Sequence, residues 1–240
     1  MAMLNLTLPW LLAAFLGHAA TPNPLQAERR MLDAQRLPAS APAPAAFVPK
    51  GWRLEQQLLG DLNADRRPDK VLMLIEQQSP DPQDDTRYRA LVVLLAQPDG
   101  RLLRAGVGSK LLYCTTCFGA LGGEGTQPQL SIARGVLLVS HYAGSRWAYQ
   151  VLQRFRYETA TGRMRLIGED YTSIDRASGA SKSLSTNMLT GKQVMQVQPA
   201  EGQPKPAPQP RTVRVPKLYL EDVDPESEQS MSWTPKGFLG

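Results

Sequence analysis

Residues 136–168 read VLLVSHYAGSRWAYQVLQRFRYETATGRMRLIG. Three runs within it, Val136–Tyr142, Tyr149–Tyr157 and Arg163–Gly168, are rich in β-branched and aromatic residues and are short or alternating, the pattern of strands. The last two are joined by the four residues Thr159-Ala160-Thr161-Gly162. Placing Phe155 and Tyr157 on one face with Met164 and Leu166 sets Glu158 opposite Arg163, because a slip of one residue would turn the whole apolar set toward water. The other face then collects Arg154, Arg156 and Arg165, a stripe able to dock an anionic partner. A solvated face carrying a Glu158–Arg163 pair is the plainer reading of the same residues.

Outward from this hairpin the pattern recurs at Trp52–Leu59, Val71–Glu76, Tyr88–Ala96, Arg101–Val107, Gln129–Ala133, Lys192–Val197 and Arg211–Leu220, with Asp, Gly, Pro and Asn between runs. The sequence therefore predicts a single antiparallel all-β domain over residues 51–240, built as a sandwich, a barrel-like sheet or a partial propeller. No repeat covers the chain, so a propeller of many regular blades has no support. Residues 199–210 (PAEGQPKPAPQP) predict an extended Pro-rich loop before a final strand, and the acidic stretch from Glu221 to Glu228 predicts solvated surface. Residues 20–50 are rich in Pro and Ala around Glu28–Arg36, and predict a tether holding one short helix.

The 240 residues are 42% hydrophobic and 20% charged, which suffices for one core and excludes a disordered chain. A net charge of +5 is too small to indicate nucleic-acid binding. Residues 1–19 contain no charged side chain, carry an apolar run and end on Gly17-His18-Ala19, with small residues where a signal peptidase needs them. They predict a signal peptide, hence a periplasmic or secreted chain with no transmembrane segment after cleavage. A short buried or anchoring helix is the competing reading.

Between two predicted strands lies Gly60-Asp61-Leu62-Asn63-Ala64-Asp65-Arg66-Arg67-Pro68-Asp69. Oxygen-bearing side chains stand at loop positions 1, 3, 5 and 9, Asp61, Asn63, Asp65 and Asp69, and position 7 offers the carbonyl of Arg67. A hard cation such as Ca²⁺ takes oxygens in this spacing. Leu72 stands where an EF-hand has its bidentate Glu, and the flanking strands argue against a helix-loop-helix. An Asp/Asn-rich turn held by its own hydrogen bonds, without metal, is the alternative.

A strand, then G-D-x-N-x-D-x-x-x-D, then the apolar Val71-Leu72-Met73-Leu74-Ile75, resembles the calcium loop of FG-GAP or VCBS-type β-propeller repeats over about 25 residues. The stretches Cys114–Gly119, His141–Trp147, Phe155–Tyr157 and Asn187–Lys192 are similar to those of small exported bacterial proteins with a single loop of this kind. The resemblance implies an exported β protein with structural Ca²⁺ and supplies no activity. Where that loop carries Gly at position 6, this chain has Arg66, followed by Arg67.

Cys114 and Cys117 stand in C-x-x-C spacing, which in an oxidising compartment reads as a disulfide. Phe118-Gly119-Ala120-Leu121-Gly122-Gly123 is a poor helix start, which weakens a thioredoxin-type redox pair, and His141 alone does not complete a zinc set. His141 has serines nearby but no G-x-S-x-G elbow, and the glycines at 119–125 lack the Lys-Ser/Thr of a phosphate loop. The expected function is an exported, non-enzymatic Ca²⁺-binding module with a protein or glycan partner. A thiol-disulfide oxidoreductase using Cys114 and Cys117, a hydrolase using His141, and an immunity or inhibitor protein against an envelope-acting toxin are the alternatives.

Overall fold

A computed structural model describes residues 31–79, 83, 85–122 and 126–225. The expected signal peptide (1–19) and the start of the expected tether (20–30) lie outside the described residues.

Two apolar runs, VLMLI and ALVVLL, carry no polar alternation because both faces of their strands are covered. They lie in the centre of a five-stranded antiparallel sheet built from β1 (Ser40–Ala41), β2 (Trp52–Gly60), β3 (Asp69–Glu76), β4 (Arg89–Ala96) and β5 (Leu102–Gly108), in the order β1-β5-β4-β3-β2. The second sheet is an antiparallel meander of seven strands: β6 (Gln129–Ala133), β7 (Val136–Gly144), β8 (Trp147–Glu158), β9 (Arg163–Asp175), β10 (Ser181–Asn187), β11 (Lys192–Gln198) and β12 (Gln209–Thr212). The fold is thus all-β, with two packed sheets that do not close into a barrel. No helix among the described residues is long and apolar enough to cross a membrane.

The register of the β8–β9 hairpin agrees with the sequence pattern: Phe155 faces Leu166, Tyr157 faces Met164 and Glu158 faces Arg163. Phe155, Met164 and Leu166 are fully buried and join Val71, Met73, Leu91 and Val93 of the first sheet in the core between the sheets. Three places depart from regular pairing. The one that matters for chemistry is in β2, where Leu54 pairs with Leu74 and Gln56 with Met73, leaving Glu55 as the extra residue of a bulge.

The stretch expected as a tether is packed over residues 32–48. Leu32, Leu37, Ala41 and Phe47 are buried on the outer face of the first sheet against Leu72, Leu74, Val92 and Leu94. These even-numbered residues of β3 and β4 would otherwise face water, and each fully buried large side chain is worth roughly 1.5–3 kcal/mol. Of the expected helix at 28–36, the described part is a 3-10 turn, Ala34–Arg36.

Two expectations at the other end also change. The final strand covers only Gln209–Thr212, an edge strand that tolerates Pro210; Pro216 cannot extend its ladder, and the chain then dives inward so that Leu218, Leu220 and Val223 enter the core. Glu221 and Asp222 are paired with Arg163 at 2.9 and 3.5 Å and are not purely solvated surface. Residues 201–212, covering most of the Pro-rich loop and the short strand after it, are exposed.

Candidate functional site

The β2–β3 connection is closed by the Gly60–Asp69 pair. Its side chains are turned inward onto the loop's own backbone. Asp61 accepts from the N–H groups of Asp65 at 3.2 Å and Arg66 at 2.9 Å. Asn63 Oδ1 accepts from Asp65 N at 3.2 Å, and its amide donates to Asp65 Oδ2 at 3.0 Å. Asp65 accepts from Arg67 N at 2.8 Å, which is the main cause holding its carboxyl below the usual range. Asp69 is fully buried and receives Leu62 N and Ala96 N, each at 2.8 Å, tying the loop to β4. Burial pushes the Asp69 carboxyl up; the two N–H donors oppose this, and the charges of Asp65 and Asp61 add to it.

The loop therefore has the geometry of an Asx-type turn with converging oxygens. The Arg67 guanidinium is an internal cation, 3.0 Å from Asp65 Oδ2. Among the described residues no group of three or more His, Cys, Asp or Glu side chains is disposed to hold a metal. The donor chemistry is hard oxygen throughout, which suits Ca²⁺, but Arg67 already takes part of it. Arg66 adopts φ 66° in the position where the resembling loops have Gly, and Ala64 adopts φ 63°.

Beside this loop, the edges β2 and β6 approach so closely that a Cβ on Gly60 would lie 2.8 Å from Ile132 Cγ2. A groove of about 610 Å³ opens there, walled by Gly60–Ala64 on one side and by Ile132, Arg134, Gly135, Arg156, Tyr157 and Thr159 on the other. Arg134 and Gly135 form the two-residue β6–β7 turn, with φ 51° and 74°. Positive φ at both positions is the primed hairpin geometry that normally selects Asn or Gly first. All three positive-φ residues other than glycine among the described residues, Ala64, Arg66 and Arg134, lie on the two loops beside this groove.

The expected arginine stripe is divided. Arg154 is held by Asp170 at 2.5 Å and Arg165 by Glu158 at 3.1 Å, whereas Arg156 is exposed and forms no ion pair among the described residues. The expected Glu158–Arg163 side-chain pair is not formed. Glu158 instead takes Lys217, Tyr219 and Arg165, whose hydrogen bonds lower its carboxyl to about 2. Arg134, which the sequence reading overlooked, is also exposed and unpaired among the described residues. An Arg-Gly pair between two predicted strands was its visible signal.

At the opposite end of the sheets, Cys114 and Cys117 form a disulfide, with S–S 2.02 Å. The described residues after it make only a 3-10 turn, Gly119–Leu121, so among the described residues no helix N-terminus follows the pair. Both sulfurs being bonded to each other, the zinc reading has no thiolate. Tyr113 lies 4.3 Å from the His141 ring, and Phe118 packs edge-on against Tyr113. His141 is buried, with Nε2 accepting from Tyr113 N at 3.4 Å and Nδ1 without a partner among the described residues. Burial, and then the nearby Arg89 charge, lower its pKa to about 3, so the ring is neutral. No Ser or Asp side chain hydrogen-bonds it among the described residues, so a hydrolytic triad is not assembled. The Glu55 bulge delivers its carboxylate to buried Arg89 as a two-pronged pair at 2.7 and 3.0 Å. Arg89 also donates to the Tyr113 carbonyl at 3.0 Å, so the bulge, the disulfide loop and His141 form one connected group.

No protein family, curated protein or solved structure matches the chain.

Proposed function

We propose that this chain is an exported, non-catalytic binding module of the cell envelope that receives a protein or glycan in the groove beside the Asp61–Asp69 loop. The observation that carries this reading is the concentration of left-handed non-glycine backbone around one groove that also collects two guanidinium groups without a carboxylate partner among the described residues. Such strain costs on the order of 1–3 kcal/mol per residue and clusters at ligand-binding positions. The export part rests on residues 1–19 of the sequence alone.

The loop is proposed to take up structural Ca²⁺ through Asp61, Asn63, Asp65 and the Arg67 carbonyl, with Asp69 serving mainly as the clamp to β4. Support comes from the mutual repulsion of Asp61, Asp65 and Asp69, which a divalent cation would relieve. The Arg67 guanidinium would have to leave Asp65 for the metal to approach. Ca²⁺ at one hundred times its Kd should stabilise the fold by about 2.7 kcal/mol and raise Tm accordingly. Thermal unfolding with millimolar Ca²⁺ and with chelator checks this: Asp61→Ala should abolish the shift, and identical melting of the unaltered chain in both conditions sinks the metal reading.

A second reading, thiol-disulfide exchange at Cys114–Cys117, is kept by the disulfide itself. Measurable insulin reduction that disappears in Cys114→Ser/Cys117→Ser would favour it over the binding module.

A further inference from the structure

The arginines around the β8–β9 hairpin can be counted by their partners. Arg154, Arg163 and Arg165 each meet a carboxylate within 4.0 Å. Arg156, which faces Arg165 across β9 and Val136 across β7, has none among the described residues, and neither has Arg134 in the adjoining turn. Both line the same groove. Asp61 is the acidic side chain of that lining, and each of its oxygens already accepts a loop N–H. Two guanidinium groups thus outnumber the one carboxylate of the lining, whose oxygens are turned onto the loop's own N–H groups. Arg134 is moreover held in a turn conformation for which Asn or Gly would be the unstrained choice. The charge missing from the groove is an anion, and the planar fork of a guanidinium matches a carboxylate.

The remaining lining narrows the ligand. Thr159 and Tyr157 bring polar groups to it, while Ile132 brings apolar surface. Sugar rings present both kinds of surface. An extended acidic peptide would bind by adding a strand to a free edge. Here the β2 and β6 edges already abut at Gly60 and Ile132, leaving no strand-sized gap. We infer that the groove binds an acidic oligosaccharide, with Arg134 and Arg156 holding a uronate carboxylate. This rests on the reading of the groove as the partner face and is independent of whether the loop holds metal.

The test is calorimetric titration of the full chain with a short oligogalacturonate, a neutral oligosaccharide of equal length, a poly-Glu peptide and inorganic sulfate at matched ionic strength, in Ca²⁺ and in chelator. Binding of the oligogalacturonate alone is expected. Arg156→Gln and Arg134→Asn should each weaken it about tenfold, the usual scale for one charge-assisted hydrogen bond. Asn at 134 retains the left-handed turn, so its Tm should not fall, and Arg53→Gln, at the far end of β2, should change nothing. Absence of oligogalacturonate binding, or binding that survives both substitutions, overturns the inference. Equal affinity for sulfate or poly-Glu overturns the glycan assignment. Binding that persists in chelator, in a chain whose Tm ignores Ca²⁺, upholds the glycan site while refuting the metal loop. A Ca²⁺-raised Tm without glycan binding does the reverse.

Discussion

Between pH 7 and pH 5, acidification should destabilise this protein chiefly through one imidazole, while the lowered carboxyls of Glu158 and Asp65 add their loss at lower pH. His141 is buried with a pKa lowered to about 3, against 6.5 for the ordinary group. Below about pH 6.5 the unfolded chain takes up a proton at this ring that the folded chain refuses, so stability falls with falling pH until the folded ring also titrates. With those two values, His141 removes about 2 kcal/mol between pH 7 and pH 5 and about 3 kcal/mol by pH 4. Buried Asp69 opposes this, because its raised pKa favours the folded state in acid. The comparison must therefore be made against a variant differing only at position 141. His141→Gln retains an acceptor for Tyr113 N and cannot be charged. Urea unfolding of both chains at about pH 7, 6, 5 and 4 gives the difference in slope directly, whatever the absolute cost of the substitution. The unaltered chain should lose about 2 kcal/mol more than His141→Gln between pH 7 and pH 5. Parallel stability curves would refute the reasoning, since they would mean that the folded ring titrates normally.

Glu55→Gln should destabilise by about 3–5 kcal/mol, because Arg89 is 3% exposed and would keep its charge with half its partner gone; urea titration measures it, and a loss under about 1 kcal/mol would show that water reaches the guanidinium. Cys114→Ser/Cys117→Ser closes no loop in the unfolded chain and should cost roughly 2 kcal/mol, the small amount expected for so short a ring. Its response to Ca²⁺ should be unchanged, as the disulfide lies at the opposite end from Asp61. Gly191→Ala should lower the urea midpoint by the equivalent of more than about 2 kcal/mol, for a Cβ there would sit 2.1 Å from the Val213 carbonyl oxygen at φ 72°. Wild-type stability in that variant would mean that the turn and the 213–218 segment are free to separate.

Much of this architecture is legible in residue order, and the legible parts are those decided by local periodicity. The Phe155–Leu166 and Tyr157–Met164 pairs follow from alternation and a four-residue loop, because a period of two leaves one register that turns all four side chains to the core face. The nine residues Asp61–Asp69 announce a tight loop by their Asx spacing, with a cation cage and a self-bonded turn as its two readings. The C-x-x-C spacing likewise places both sulfurs within reach of each other.

The rest depends on what each segment meets after folding. Ser181–Asn187, SKSLSTN, lacks the composition of a strand, yet it becomes β10 because β9 and β11 supply ladder partners on both sides and only Leu184 and Thr186 need burial. Residues 32–48 have the composition of a linker, but the even-numbered face of β3 and β4 provides an apolar surface that they cover. Glu55 is one polar residue among several in β2 until a bulge turns it onto Arg89. Arg154, Arg156 and Arg165 are equivalent in the sequence; Asp170 and Glu158 neutralise two of them, and the third shares a groove with Arg134. Charge balance and burial are sums over neighbours distant in the chain, so the sequence by itself determined the strands of strong apolar alternation and the tight loop, while the tertiary structure decided which arginines find a carboxylate among the described residues.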